Sequence, residues 1–304
     1  MTRPHPPEVL PASLILCSRG RPEMLGETVA SILAGTAVPA EFIIVDQSDK
    51  PDAVLAATDT PEGCRLRYLH DEERGLSRAN NLGLKAATQE VIVFTHDDVL
   101  VDSQWFATIV REVVEGDPDS VVTGRILAGL EGHEGGYAPT LRTGTTPEVH
   151  RGRIGIDVLK PLNMAMPRAV VEDVGGFDER LGPGTPFPGA EDADLGFRIL
   201  EAGYAIRFVP EALLYHRAWR SESDYLPIRW SYGVAHGAFY AKHFRWRDPH
   251  VLRRAARDVA RRVRRFPGRC IREGRRALGD PLFLVGSVVG AVRWTMSGRR
   301  RGRD

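Results

Sequence analysis

Short apolar runs alternate with amphipathic stretches through the first half of the chain. β-branched and apolar residues crowd positions 13–17 (SLILC), 41–46 (EFIIVD), 65–70 (RLRYLH), 90–96 (EVIVFTH) and 120–126 (SVVTGRI), which predicts five strands. A helix is predicted from about Pro22, because Leu25, Val29, Ile32 and Leu33 share one face and a proline fits the first turn, where its missing N–H is no loss. Two more helices are predicted at 77–87 and 103–114, with Ser77 and Ser103 as N-caps. Strand and helix in alternation predict an α/β fold, a mainly parallel central sheet joined by crossover helices.

The stretch 127–154 is rich in Gly, Thr, Pro and His and shows little periodicity, so it is expected to be a flap over a functional site. Periodicity returns with a strand and a short helix in NMAMPRAVVEDVGGFDERL, a helix over 192–202 closed by Gly203, and a last strand, YAIRFVP, leading to His216. The aromatic-rich segment 221–250 is expected to pack on the body as a helix. In 251–304, Leu252, Ala256, Val259, Val263 and Phe266 recur at steps of four and three, predicting a thin apolar stripe beside a cationic side. Pro267-Gly268 is expected to end that helix, and the apolar run 281–296, interrupted by Arg293, looks too short to span a bilayer.

With 304 residues, 42% hydrophobic and 27% charged, the chain can bury a sizeable core, which argues against a disordered protein. A net charge of +1 conceals an asymmetry: 251–304 holds 16 Arg and four acids, +12, so 1–250 carries −11. The basic tail suits an anionic membrane surface or a homo-oligomer contact; with an acidic body and no matching motif, nucleic acid is not expected. Three scattered cysteines give neither a disulfide framework nor a zinc site, and the Pro-rich residues 1–12 read as a flexible lead-in without a signal peptide. A cytoplasmic protein, at most peripheral at the inner face of the cell membrane, is the expectation.

Candidate chemistry gathers at predicted strand ends. His96-Asp97-Asp98 closes the fourth strand, and ligands in open parallel sheets sit beyond the carboxyl ends of strands. Adjacent carboxylates repel unless a cation neutralises them, and oxygen ligands of this kind suit Mg2+ or Mn2+ carrying a diphosphate. Asp46 ends the second strand and His216 the last. Glu191-Asp192-Ala193-Asp194 opens a helix below the loop GPGTPFPGA; a carboxylate fixed there can deprotonate a hydroxyl, with Asp192 the first choice and Glu191 the second. Arg19, Arg21 and Arg78 are cations placed to meet phosphates. Each feature alone is commonly a helix cap, a turn former or a solvated charge. Together they converge on one end of one sheet.

In this order the motifs resemble the family 2 glycosyltransferases over 13–216. LILCSRGRPEMLGETVASIL resembles the family's opening strand, loop and helix, FIIVDQSD its second strand, RGLSRANNLGLKAATQEVIVFTHDDV its block ending in a DxD-type site, and GGFDERL with GAEDADLGFRILEAGY its acceptor loop and ED motif. The resemblance implies a GT-A fold over 13–220 and a metal-dependent transfer, with inversion, from a UDP-, dTDP- or GDP-linked sugar to a saccharide or lipid-linked saccharide in surface polysaccharide or glycolipid synthesis. It implies Ser18, Arg19, Arg21, Asp46, Gly75, Arg78 and Asp97 at the nucleotide sugar, Asp98 and His216 at the metal, and Asp192 as base. His96 stands where the family has its first acid and takes either a ribose contact or a metal position. A sugar-phosphate nucleotidyltransferase and a non-catalytic glycan- or membrane-binding module are the alternatives.

Overall fold

The computed structural model describes residues 6–129, 136–217 and 219–301. The elements in chain order are β1 (Glu8–Ser18), α1 (Pro22–Leu33), β2 (Ala37–Asp46), α2 (Ala53–Ala56), β3 (Arg65–His70), α3 (Leu76–Ala86), β4 (Val91–His96), β5 (Val99–Val101), α4 (Trp105–Val114) and β6 (Ser120–Ala128). They continue with β7 (Glu148–His150), β8 (Asn163–Pro167), α5 (Arg168–Asp173), α6 (Glu191–Glu201), β9 (Ala205–His216), α7 (Glu222–His243), α8 (His250–Glu273) and α9 (Gly279–Arg301). One sheet takes all the strands, in the order β3-β2-β1-β4-β8-β6-β9-β5, with β7 also on β9.

The half from β3 to β4 is parallel, as the sequence predicts. In the other half β8 runs antiparallel to both β4 and β6, while β6 and β9 are parallel. β1 is buried on both faces, so its apolar residues run consecutively instead of alternating. Side chains still alternate by face. Leu14 and Leu16 join Phe42, Ile44 and Trp105 in one core, and Ile15 and Cys17 join Ile43, Phe94 and Leu195 in the other.

Several expectations need correction. β1 starts at Glu8, where residues 8–10 pair with 37–39, so the lead-in is not flexible as far as residue 12. Ser77 does not cap α3: Gly75, at φ 143°, holds the N-cap position, and the Ser77 hydroxyl donates 2.7 Å to the Leu181 carbonyl inside the first turn. Nor does Ser103 cap α4, which begins after Gln104. Parts of 127–154 are pinned to the sheet instead of forming a free flap. Ile126 and Arg142 exchange backbone bonds of 2.9 and 3.0 Å, and β7 pairs with β9. Residues 130–135 of that segment lie outside the described residues. α8 continues through Pro267, which sits exposed where water can take the carbonyl that the missing N–H leaves free.

α7 and α9 pack in parallel, since Gly233 meets Phe283 and, one turn on, Gly237 meets Ser287; α8 is the return between them. Within His250–Ser297 lies a window of mean hydropathy 1.2, so by length and composition alone the helical tail could cross a bilayer, contrary to the sequence count; 39% of that window is buried in the protein. α7 is locked to α6 by Asp194, whose fully buried carboxylate takes Lys242 Nζ at 2.6 Å, His243 Nε2 at 2.7 Å and Arg198 Nη2 at 2.8 Å.

Candidate active site

Register places the site. β1 and β4 end together, with Cys17 paired to His96, so the loop after β1 faces His96-Asp97-Asp98. β5 then pairs with β9 so that Val99 lies opposite His216, which brings the imidazole beside Asp98. Thr28 of α1 fixes the turn between β4 and β5 by donating its hydroxyl proton toward the Asp97 and Val99 carbonyls, at 2.8 and 2.7 Å.

The charges around this turn are tightly coupled. Arg21 Nη1 reaches Asp97 Oδ1 at 3.2 Å and Asp98 Oδ2 at 3.0 Å, and the Ser18 hydroxyl donates to Asp97 Oδ2 at 2.7 Å. Burial and the neighbouring Asp98 raise the Asp97 carboxyl to about 6, with Arg21 and Ser18 opposing. Burial would raise Asp98 too, but His216, His96 and Arg21 hold it well below the usual carboxylate range. Desolvation pushes the imidazole of half-buried His96 down to about 4, which keeps it neutral, and the charges of Asp98, His216, Arg21 and Asp192 also act on it. Arg21 and His216 meet Asp98 directly beside it, whereas Asp192 lines a separate small hollow with Arg153, Gly196 and Arg254.

Beside this cluster opens a cavity of about 690 Å³, lined by Ser18, Arg19, Arg21, Lys50, Arg74 and Gly75 together with His96 and Asp97. That volume suits a nucleotide-sized ligand. The residues present also fit a divalent ion. Asp98 Oδ1 and His96 Nε2 are buried without hydrogen-bond partners, and His216 Nε2 stands 3.4 Å from that same Oδ1 in a contact too poorly aligned for a hydrogen bond. Among the described residues no group of three His, Cys, Asp or Glu side chains is placed to hold an ion.

Residues 13–175 match the family described as Glycosyl transferase family 2. The chain belongs to the family 2 glycosyltransferases. A glucosyl-dolichyl phosphate glucuronosyltransferase of Haloferax volcanii is 27% identical over 235 residues, 71% of this chain and 73% of that protein. A pre-mycofactocin glycosyltransferase of Mycobacterium tuberculosis is 26% identical over 187 residues, 59% of this chain but only 38% of its own length. Among solved structures, the mannosyltransferase PcManGT of Pyrobaculum calidifontis, in complex with GDP-Man and Mn2+, covers 94% of this chain and 87% of its own at TM-score 0.58 and 15% identity. S. aureus TarS 1–349 with UDP-GlcNAc covers 91% and 79% at TM-score 0.58 and 16% identity. The fold is GT-A, and family membership favours sugar transfer over the nucleotidyltransferase alternative.

In this glycosyltransferase Ser18, Arg19, Arg21, Gly75, His96 and Asp97 line the cavity. Asp46 is 2% exposed and occupied: Oδ1 accepts from Ser48 N at 2.9 Å and Oδ2 from the Tyr68 hydroxyl, and the residue borders a separate hollow of about 330 Å³ with Ser48 and Lys50. Arg78 departs from expectation. Its guanidinium pairs with Asp71 at 3.0 Å and Glu73 at 3.2 Å and lines a different hollow, with Lys85 and Gly176. Asp192, half-buried, faces Lys160 Nζ at 3.5 Å. Glu191 beside it is buried and pushed up to about 8, by burial first and then by the Asp192 charge. Sequence reasoning missed Lys160, Lys50 and Arg74. Arg74 stood in plain view next to Gly75; Lys160 carries no signal until the fold brings it to α6.

Proposed function

We propose that this glycosyltransferase moves a sugar, with inversion, from a UDP-, dTDP- or GDP-linked donor to a hydroxyl of a saccharide or lipid-linked saccharide, at the cytoplasmic side of the cell membrane. The observation that carries the reading is the meeting of Arg21 and His216 on Asp98 at the ends of β4 and β9, beside the large cavity that Ser18, Arg19, Arg21 and Asp97 line. The donor diphosphate lies against Arg19 and Arg21, with Lys50 and Arg74 at the rim. Asp98 and His216 would hold Mn2+ or Mg2+, which when bound supplies the positive charge that a departing diphosphate needs. His96, held neutral, faces the same space with Nε2 free to meet the ribose or that ion.

Asp192 accepts the proton of the acceptor hydroxyl as its oxygen bonds to the sugar C1 and the C1–O bond to the diphosphate breaks on the opposite face. Lys160 Nζ stands 3.5 Å from the Asp192 carboxylate and holds it in place. Glu191 holds its own proton and cannot share that role at neutral pH. A lipid-linked acceptor is favoured by the relative that acts on a dolichyl phosphate-linked sugar, and synthesis of a surface polysaccharide or glycolipid is the setting it suggests.

A panel of nucleotide sugars, each with Mn2+ or Mg2+, tests the reading through thermal stabilisation followed by product analysis. A ligand that binds only the folded chain raises its unfolding temperature. One donor is expected to stand out and to release a nucleoside diphosphate. Stabilisation by no nucleotide sugar, or release of pyrophosphate, would overturn it.

A further inference from the structure

α9 joins the protein through glycine. Gly233 and Gly237 of α7 pack along the stretch of α9 that holds Gly286 and Gly290, and a Cβ on any of the four would come within 3 Å of the other helix's backbone. Small residues four apart on both partners let two helices touch backbone to backbone, a packing common where helices meet in a bilayer. Phe283 and Trp294 are buried on the same inward side.

The outward side of α9 is apolar as well. At 3.6 residues per turn Val285, Val288, Val292 and Met296 share the face opposite Phe283, Gly290 and Trp294, and they are 55%, 66%, 51% and 59% exposed. Pro281 is exposed on that face too, and from 281 to 296 the one charged residue is Arg293, at its edge. A helix that faces water carries its polar residues on the outer side. α9 does the reverse.

The charges around this face fix what covers it. In sequence three arginines at 272–276 precede it and four at 299–303 follow it, and 281–303 holds no Asp or Glu. An uncharged middle with cationic ends complements hydrocarbon bordered by phosphates, because arginine stems lie along apolar surface while their heads reach anions. Crossing the bilayer is excluded by α7. It carries Glu222, Asp224 and Lys242 alongside α9, and Lys242 and His243 are pinned to Asp194 of the body at 2.6 and 2.7 Å. Sinking α9 through hydrocarbon would draw those charges in with it. Lying along the surface costs nothing of the kind.

We propose that α9 lies in the interface of an anionic bilayer, with the face from Val285 to Met296 among the acyl chains and the arginines at its ends on the phosphates. This face shares no residue with the donor cavity or with Asp192, so membrane docking and sugar transfer stand or fall separately.

Flotation of the full-length protein with vesicles of phosphatidylcholine alone, and of phosphatidylcholine mixed with phosphatidylglycerol, tests it. Binding to the mixed vesicles is expected to exceed binding to the neutral ones by about tenfold or more at physiological salt. Val288→Asp and Val292→Asp should each lower it by about tenfold or more, and Arg272→Gln with Arg275→Gln by about tenfold. Val114→Asp, at an exposed valine on α4 of the body, should leave it within about twofold. Equal binding to both vesicles, or binding unchanged in the two α9 variants, overturns the proposal. So does a protein that sediments as a dimer without vesicles and as a monomer in Val288→Asp, because a second copy would then cover the face. The α9 variants should match the wild type in unfolding temperature and in its shift with nucleotide sugar; a lowered unfolding temperature in both would show that the face is packed within the protein, and would also overturn the proposal.

Discussion

Two adjacent carboxyls at the start of α6 sit in different surroundings, and the proposed roles follow that difference. Asp192 has a lysine partner at 3.5 Å, whereas Glu191 Oε2 is buried with none. Asp192→Asn is expected to lower transfer by about 10²-fold or more, the size of a general-base contribution, with donor-induced thermal stabilisation intact. Full activity in that variant would move the base elsewhere. Glu191→Gln copies the neutral acid and should keep activity within a few fold. The folded Glu191 holds its proton up to about 8, against 4.5 for an ordinary glutamate, so the folded chain binds more protons across that window. The stability this contributes is complete below about 4.5 and is lost as pH rises through about 8, so unfolding temperature should fall less between pH 5 and 8 in Glu191→Gln than in the wild type. The closeness of Asp98 and His216 was legible because both were read at strand ends on one edge of the sheet. The tying of Asp46 to Tyr68 and of Arg78 to Asp71 was not, because nothing in the local sequence shows which neighbour will take a charge.

Among the elements, glycine has two opposite meanings. Gly26 lies inside α1 with nothing within 4 Å of where a Cβ would stand, whereas a Cβ on Gly237 would lie 1.9 Å from the Ser287 carbonyl oxygen and one on Gly290 1.9 Å from that of Val234. Gly26→Ala should stabilise the chain by up to about 1 kcal/mol through helix propensity. Gly237→Ala must separate α7 from α9 and should cost about 1–3 kcal/mol or more, read as a lowered denaturant midpoint. A neutral Gly237→Ala would mean that the two helices do not touch there. Strands and helices of the body were readable because β-branched runs and 3.6-residue periodicity are local properties. The places where local reading failed have non-local causes. Ser77 is drawn from a capping role by the distant Leu181 carbonyl, and β8 enters the sheet antiparallel, which its own residues do not specify.

The asymmetry of charge along the chain suggests an acidic body with a detachable basic tail, yet the fold ties the two together. Asp157 of the body takes Arg254 of α8 and stands 3.5 Å from His236 of α7, while Lys242 of α7 bridges Asp178 and Asp194 at 2.8 and 2.6 Å. Phe283 and Trp294 of α9 are 2% and 8% exposed, and Trp294 packs edge-on against Phe187 in the loop that leads to Glu191 and Asp192. A chain ending at Asp248 loses those aromatics and Val251, each worth about 1.5–3 kcal/mol of burial, and it leaves the half-buried Asp157 without its arginine. These losses are comparable to the about 5–15 kcal/mol that holds a typical domain together. The truncated protein is therefore expected to aggregate or to melt far below the full chain, and to lose stabilisation by nucleotide sugar because the loop before α6 is no longer braced. Equal unfolding temperatures for the two forms would show the tail to be an appendage. Any role of α8 is for this reason better probed with exposed point variants than by deletion, since removing the tail also unbraces the loop that leads to α6.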